Sequence, residues 1–324
     1  MRRGIAIRVL LLTLLALPVN SFAAWAIDVP PSFLFHIDGT GRVSQMAETP
    51  DGRILAPSMD GNAVRVYTET GAYLASFGSA GSALGRFNTP TGIAIDKDGN
   101  IYVCDQFNDR VQKFSPTFVP LLQMGSSGAG PGQLRRPTNC AFSLDESVLY
   151  VTEFGNHRIS MFDKAGVFLG SFGSPGSGPG QFNCPYAIVV DRPSGDLFVA
   201  DENNSRIVRL TSTGSFLYSI GQLGAGPDDF HFIVGMTQDP DGNLWATDQL
   251  NNRMKKLTRA GAVLTYWGAF GSGSNQFYNP WSVFITHDGN IWIGDTYNYR
   301  IEVYQYVATP ANVTSWGRVK ATYR

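Results

Sequence analysis

Histidine is the residue type that most readily supplies zinc ligands and general bases, and this chain has four. They are His36, His157, His231 and His287. No Ser-His-Asp arrangement accompanies them. The Gly-rich segments GSSGAGPGQ and GSPGSGPGQ precede strand-like runs and not helices, so they are not phosphate-binding loops. The chemistry open to the chain is therefore narrow.

A carboxylate, an asparagine and an arginine recur in a fixed order and are the most frequent polar signal. The five copies are Asp105, Asn108 and Arg110; Glu153, Asn156 and Arg158; Asp201, Asn204 and Arg206; Asp248, Asn251 and Arg253; and Asp295, Asn298 and Arg300. An Asn in a loop can cap backbone groups and tolerate a left-handed conformation, and an Arg can pair bidentately with a carboxylate. Because a catalytic site is a local asymmetry, a triplet present in every copy predicts a structural role.

These triplets belong to a repeat that covers nearly all of the chain after its N-terminal segment. The arginines are separated by 48, 48, 47 and 47 residues. One further step back from Arg110 reaches ILAPSMDGNAVRVY, a degenerate first copy. Six units of about 47 residues are therefore predicted.

Each unit is predicted to form four short strands. In the second unit they are GIAID, IYVCD, RVQKF and LLQMG, with the turn KDGN and the loop QFND between them. The first two strands are almost continuously apolar, which indicates that both of their faces are buried. Radial stacking of six such sheets buries those faces, and closing them into a ring is favoured over an open solenoid, which would leave an uncapped end.

The Pro-x-Gly-apolar starts, Asp-Gly-Asn turns and Asp-x-x-Asn-x-Arg motifs over residues 40–317 resemble those of the NHL-repeat family. The resemblance implies an all-β, six-bladed β-propeller of four-stranded antiparallel blades. We expect a single propeller over residues 27–324. Relatives of this type include RNA binders, scaffolds, sensor domains and lyases, so the resemblance specifies the fold more than the function.

Peptidyl-hydroxyglycine lyases, which are similar in fold, hold zinc in the central channel with three histidines. Here only His157 and His231 can share one face. The innermost strands begin with Ser44, Thr91, Thr138, Tyr186, Val234 and Trp281, none of which is a zinc ligand. Only Asn139 and Gln45 place strong polar groups near the axis. No catalytic residue, metal site or cofactor is predicted.

Function is expected where the copies differ. In a meander, the loops between strands two and three share one face with the connectors between blades; we call this the loop face. The opposite face, the turn face, carries short turns that offer little to a ligand. The predicted ligand-binding residues on the loop face are Phe107, Arg135, His157, Tyr186, His231, Tyr278, Trp281, Tyr297 and Tyr299.

Two segments compete for the outer strand of the sixth blade. Val313–Gly317 fits the strand-four pattern, and Phe33–Ile37 fits it more loosely. We favour the N-terminal segment, because the two chain ends would then pair with each other and close the ring.

Residues 1–26 are predicted to be a signal peptide. Arg2, Arg3 and Arg8 precede an 11-residue apolar run and two small-residue cleavage patterns. A spanning helix needs about 20 apolar residues. Removing this leader takes away three arginines and no acid, which leaves a net charge of −4. The three cysteines, Cys104, Cys140 and Cys184, are predicted to be buried free thiols, with an inter-blade disulfide as the alternative.

Together these features predict a secreted or periplasmic, monomeric, non-enzymatic propeller that binds a protein, peptide or glycan through its aromatic loop face. The alternative is a metal-dependent lyase or lactonase with a central-channel site. Export and net negative charge disfavour nucleic acid as a partner.

Overall fold

A computed structural model describes residues 29–306, which form six four-stranded antiparallel sheets. Blade 1 consists of β2 (Ala47–Glu48), β3 (Ile54–Ser58), β4 (Ala63–Tyr67) and β5 (Tyr73–Phe77). Blade 2 consists of β6 (Pro90–Ile95), β7 (Ile101–Asp105), β8 (Arg110–Phe114) and β9 (Pro120–Met124). Blade 3 consists of β10 (Pro137–Phe142), β11 (Leu149–Glu153), β12 (Arg158–Phe162) and β13 (Phe168–Phe172).

Blade 4 consists of β14 (Pro185–Val190), β15 (Leu197–Asp201), β16 (Arg206–Leu210) and β17 (Phe216–Ile220). Blade 5 consists of β18 (Met236–Gln238), β19 (Leu244–Asp248), β20 (Arg253–Leu257) and β21 (Val263–Trp267). Blade 6 consists of β22 (Pro280–Ile285), β23 (Asn290–Asp295), β24 (Arg300–Gln305) and the N-terminal β1 (Ser32–Asp38). The predicted all-β, six-bladed propeller is confirmed.

Six apolar clusters hold the blades together, one in each seam between neighbours. We call the seam between blades 6 and 1 the closing seam. There, Trp292 of blade 6 packs with Val43, Ile54 and Tyr67 of blade 1. Every residue of the second strand is buried in each blade, except Asn290 at the start of β23. This burial explains why these strands are apolar on both faces: each blade hides its two surfaces against two neighbours.

The N-terminal segment supplies the outer strand of blade 6, as favoured from the sequence. β1 pairs antiparallel with β24 from Ser32 opposite Gln305 to Asp38 opposite Arg300, with an irregularity between Phe33 and Phe35. Phe35 and Ile37 pack on the closing cluster. The alternative segment 313–317 lies outside the described residues, as does the predicted leader 1–26.

Short 3₁₀ turns connect the second and third strands on the loop face, at Gln106–Asn108, Glu202–Asn204, Gln249–Asn251 and Thr296–Asn298. Each is followed by one residue in the left-handed conformation: Asp109, Ser205, Asn252 or Tyr299. None of the helical turns in residues 29–306 is long and apolar enough to span a membrane.

Removing residues 27–38 should lower the melting temperature by more than about 10 °C, because the closing cluster would lose Phe35 and Ile37 and β24 would become an edge strand. A variant lacking residues 313–324 is the control. Thermal unfolding followed by circular dichroism measures both. Equal melting of the N-terminally shortened and full-length proteins would contradict ring closure by β1.

Candidate functional site

A buried carboxylate at the end of the second strand organises the loop face in each of blades 2–6. Asp105 is fully buried and accepts hydrogen bonds from the Asn88 backbone N–H at 2.7 Å, Asn108 at 2.8 Å, Arg110 Nε at 2.8 Å and Gln112 at 2.9 Å. The hydrogen bonds to this one carboxylate thus link the incoming connector, the 3₁₀ turn and the third strand.

The Arg of each triplet does not form the bidentate pair expected from the sequence. Only Nε of Arg206 donates to Asp201, at 2.8 Å, while its two Nη atoms donate to the connector carbonyls of Ser177, Gly178 and Gln181. The guanidinium has five N–H donors, so it can serve the carboxylate and the connector together. The predicted structural role of the triplets is confirmed.

The residue after each Asn adopts the left-handed conformation that the sequence interpretation had given to the Asn, and in blades 2, 3 and 5 its side chain accepts a hydrogen bond from the next blade. Asp109 accepts from the Arg136 backbone N–H at 2.7 Å, and Asn252 accepts from Asn279 at 2.9 Å. His157 occupies the same position, and its Nδ1 accepts the Cys184 N–H at 3.0 Å. Nδ1 is therefore unprotonated in this arrangement, and Nε2 is the nitrogen left for a ligand.

Two aromatic side chains on the innermost strands of blades 4 and 6 lie close together at the central channel. Tyr186 of blade 4 is buried, and its ring centroid lies 6.1 Å from that of Trp281 of blade 6. The Gln45 amide of blade 1 donates to the Val234 carbonyl of blade 5 at 3.1 Å. Burial raises the pKa of Tyr186 well above its ordinary value. The phenol is therefore neutral at physiological pH.

One acidic side chain stands out at the loop-face end of this channel. The residue that follows the structural carboxylate, or its equivalent in blade 1, is Met59, Gln106, Phe154, Glu202, Gln249 or Thr296. Only Glu202 is ionisable. Its Oε2 is buried without a hydrogen-bond partner among the described residues. Burial raises the pKa of Glu202 to about 7, with the charge of Arg136 opposing the shift.

Arg136 is held between two aromatic rings near Glu202. Its guanidinium carbon lies 5.2 Å from the Phe107 ring centroid and 4.5 Å from that of Phe154. Its Nε is buried and unpaired within the part of the chain that the structure describes. Stacking fixes the position of the cation, while the open N–H remains available to an acceptor.

A second aromatic group lies on blade 6. The Tyr278 ring centroid is 5.1 Å from that of Phe270 and 5.2 Å from that of Tyr297. These rings are exposed, as is Tyr299. We call Phe270, Tyr278 and Tyr297 the blade-6 aromatic patch. Exposed adjoining rings of this kind are typical of recognition surfaces.

The structure separates the predicted ligand-binding residues into distinct places. Tyr186 and Trp281 line the channel, whereas Tyr278, Tyr297 and Tyr299 are exposed on blade 6. Phe107 and Arg135 are exposed on the blade 2 and blade 3 side, and half-buried His231 packs edge-to-face against Phe232. Arg135 and His231 occupy the same repeat position, where the backbone N–H donates to the structural carboxylate and the side chain varies.

Sequence reasoning missed Glu202, Phe270 and the stacked position of Arg136. A signal for Glu202 exists: the position after each structural carboxylate holds Gln, Phe, Gln or Thr in the other four complete triplets, so an acid there breaks the pattern. The stacking of Arg136 has no comparable signal, because its two partners come from different blades.

A cavity of about 260 Å³ occupies the half of the channel nearer the turn face. Apolar side chains such as Ile93, Ile188 and Met236 line it together with Asn139 and Gln238. The turn face therefore offers more than short turns. The cavity is small and lacks the converging unpaired groups of the opposite end.

The cysteines do not form disulfides. Cys104, Cys140 and Cys184 are free and buried. Cys184 lies near Glu202 and Arg136, and burial raises its pKa to about 11. It is a neutral thiol at physiological pH, which makes it a poor nucleophile.

Comparison with known families agrees with this geometry. The NHL repeat model matches residues 87–114 and 182–210, which are parts of blades 2 and 4. The chain is a six-bladed β-propeller with NHL repeats at these two places. A search of curated protein sequences gives no match to the propeller.

Solved structures share the architecture at low sequence identity. A streptogramin B lyase is 17% identical, with 86% of this chain and 87% of that chain covered and a TM-score of 0.58. Virginiamycin B lyase from Staphylococcus aureus, solved as an inactive variant with quinupristin, is 14% identical, with coverage of 84% and 88% and a TM-score of 0.59. A putative gluconolactonase is 13% identical, with coverage of 84% and 92% and a TM-score of 0.61. At these identities the likeness concerns the fold.

Replacing Glu202 by Gln should stabilise the propeller at pH 8 and stabilise it much less at pH 5. Because the folded-state pKa is raised, the wild-type loses stability as the pH rises from the unfolded pKa, about 4.3, through 7. The neutral amide avoids that loss, and we expect a gain of about 5 °C in melting temperature at pH 8. Exposed Asp228→Asn is the control. A gain that is the same at both pH values would contradict the raised pKa.

Proposed function

We propose that this NHL propeller binds a protein, peptide or glycan ligand on its loop face, around the mouth of the central channel. The observation that carries the proposal is the convergence of Glu202 Oε2 and Arg136 Nε, both buried and unpaired among residues 29–306, within a frame of aromatic rings. Buried polar atoms normally find partners, so such a pair favours a ligand that supplies both a donor and an acceptor.

The aromatic residues extend this surface beyond the channel. The blade-6 aromatic patch offers ring faces and phenolic hydroxyls, while Phe107 offers an exposed edge beside Arg136. Rings stack on sugars or peptide side chains, and their hydroxyls donate hydrogen bonds. An extended chain that carries polar groups fits this surface better than a small apolar molecule does.

The double variant Tyr278→Ala with Tyr297→Ala should reduce binding to immobilised glycan and peptide arrays at least about tenfold, since it removes two exposed anchors. The control is Tyr73→Ala, which removes a more exposed ring from the outer strand of blade 1. Melting curves establish that both variants fold. Retention of wild-type signal on the arrays by the double variant would refute the binding role of the patch.

A second candidate function is enzymatic, and Glu202 favours it. A carboxyl with a pKa of about 7 is partly protonated near neutral pH, which suits a general acid or base. The neutral Tyr186 phenol and the Arg136 cation lie close to it and would stabilise a developing negative charge. Similar folds carry the names streptogramin B lyase and putative gluconolactonase, which suggests cyclic esters as test substrates.

For this candidate we expect wild-type protein to open a streptogramin B ring or a sugar lactone and Glu202→Gln to lose at least about a hundredfold in kcat/KM. The pH–rate profile should bend near 7, at the pKa of Glu202. Assays with and without chelator test the metal-dependent form of the hypothesis. Equal rates for wild-type and Glu202→Gln, with Asp228→Asn as control, would exclude Glu202 as the acid or base.

We also propose that the protein is exported and acts as a monomer in a secreted or periplasmic form. The support is the N-terminal pattern of arginines, apolar run and small residues. N-terminal sequencing of mature protein should begin after Ala23 or Ala26, and size-exclusion chromatography should give the mass of one chain. A mature protein that starts at Met1 would disprove the signal peptide.

A further inference from the structure

The turn between the third and fourth strands reaches across a seam to the preceding blade, and at two seams it carries a cation. Lys164 of blade 3 contacts Glu146 and lies 3.7 Å from Asp96 and 4.0 Å from Asp98 of blade 2. Arg259, at the same repeat position in blade 5, pairs with Asp191 of blade 4. A basic residue here neutralises the carboxylates that gather at the seam.

At the closing seam between blades 6 and 1, an acid takes this position. Glu69 corresponds to Lys164 and Arg259, and its Oε1 lies 3.5 Å from Nδ1 of His287 in blade 6. Glu48 of blade 1 accepts the His287 backbone N–H through Oε2 at 2.8 Å, and its Oε1 contacts Nδ1 of the same residue. At this seam two carboxylates therefore share one imidazole, whereas Lys164 and Arg259 provide a permanent cation at the other two seams.

We propose that Glu48, Glu69 and His287 bind a divalent zinc-type cation that pins blade 6 to blade 1. One ligand atom from each residue lies within 4.8 Å of the other two. Adjacent ligand atoms in a tetrahedral zinc site are about 3.3 Å apart, so small side-chain movements suffice. One imidazole and two carboxylates form a borderline donor set that suits zinc better than magnesium or calcium. Water completes the coordination.

The backbone leaves room for the Glu69 carboxylate. Gly52 has a φ of +82°, and a Cβ built there would lie 2.7 Å from Glu69 Oε1. The side chain of His287 is 48% exposed, so a cation reaches the cluster from solvent. Binding replaces the proton on Nδ1 and supplies the positive charge that Lys164 and Arg259 supply elsewhere. The site lies on the turn face, away from the loop-face residues of the proposed ligand-binding function.

Repeat positions provide matched variants for the test. Glu69→Lys copies the residue type of Lys164. Glu48→Gln copies Gln238, whose Oε1 accepts the Arg192 backbone N–H at 3.0 Å across the seam between blades 4 and 5. Both should preserve the folded ring without metal. Asp98→Asn, on the seam between blades 2 and 3, removes one negative charge elsewhere on the turn face and serves as the control.

Zinc chloride is titrated into full-length protein that has been treated with a chelator. Competition with a chromophoric chelator measures the zinc affinity. Melting curves recorded with zinc and with EDTA measure the effect of zinc on stability. We expect one zinc per wild-type chain and a zinc-dependent rise in melting temperature, both kept by Asp98→Asn. Glu69→Lys and Glu48→Gln should each lose more than about tenfold in affinity and lose the rise. Absence of zinc binding by wild-type, or equal affinity in wild-type and both variants, would overturn the proposal.

Discussion

The loop face of the propeller depends on a buried negative charge at the end of the second strand of each blade. Burying an unpaired carboxylate costs several kcal/mol, so the fold persists only if that charge is fully hydrogen-bonded. Asp105 meets this requirement with four donors from the connector, the 3₁₀ turn and the third strand. In blade 1, where Ser58 stands at this position, Asp60 accepts the Arg42 backbone N–H at 3.0 Å instead.

This network explains where variation is tolerated and where function can arise. The carboxylate fixes the backbone of its own connector, so the side chain at that connector position is free to vary, as Arg135 and His231 show. The residue after the carboxylate is held at the channel mouth in the same way. Glu202 therefore sits beside the fixed Asp201, on a rigid frame that would preorganise a ligand-binding or catalytic carboxyl.

The seams between blades carry a second kind of asymmetry. Apolar clusters fill all six seams, but the polar contacts on the turn face differ from seam to seam. Lys164 and Arg259 neutralise acids at two of them, while the closing seam combines Glu48, Glu69 and His287. The closing seam joins blades from the two ends of the chain, and the segment between β1 of blade 6 and β2 of blade 1 crosses it. The pairing of β1 with β24 and the polar contacts at this seam oppose opening of the ring.

The sequence by itself determined the number of blades, their strand pattern and the structural role of the repeated triplets, because spacings of 47 and 48 residues and continuous apolar runs are local properties of the chain. The sequence also favoured closure by Phe33–Ile37, because the two chain ends would then pair with each other. Only the tertiary structure decided which varied residues meet. Arg136 stacks between rings from two blades, the Oε2 atom of Glu202 becomes buried near it, and Glu48 meets His287 across 239 residues. Packing of successive blades creates the first two contacts and ring closure creates the third, and no local pattern encodes the angle at which six sheets come together.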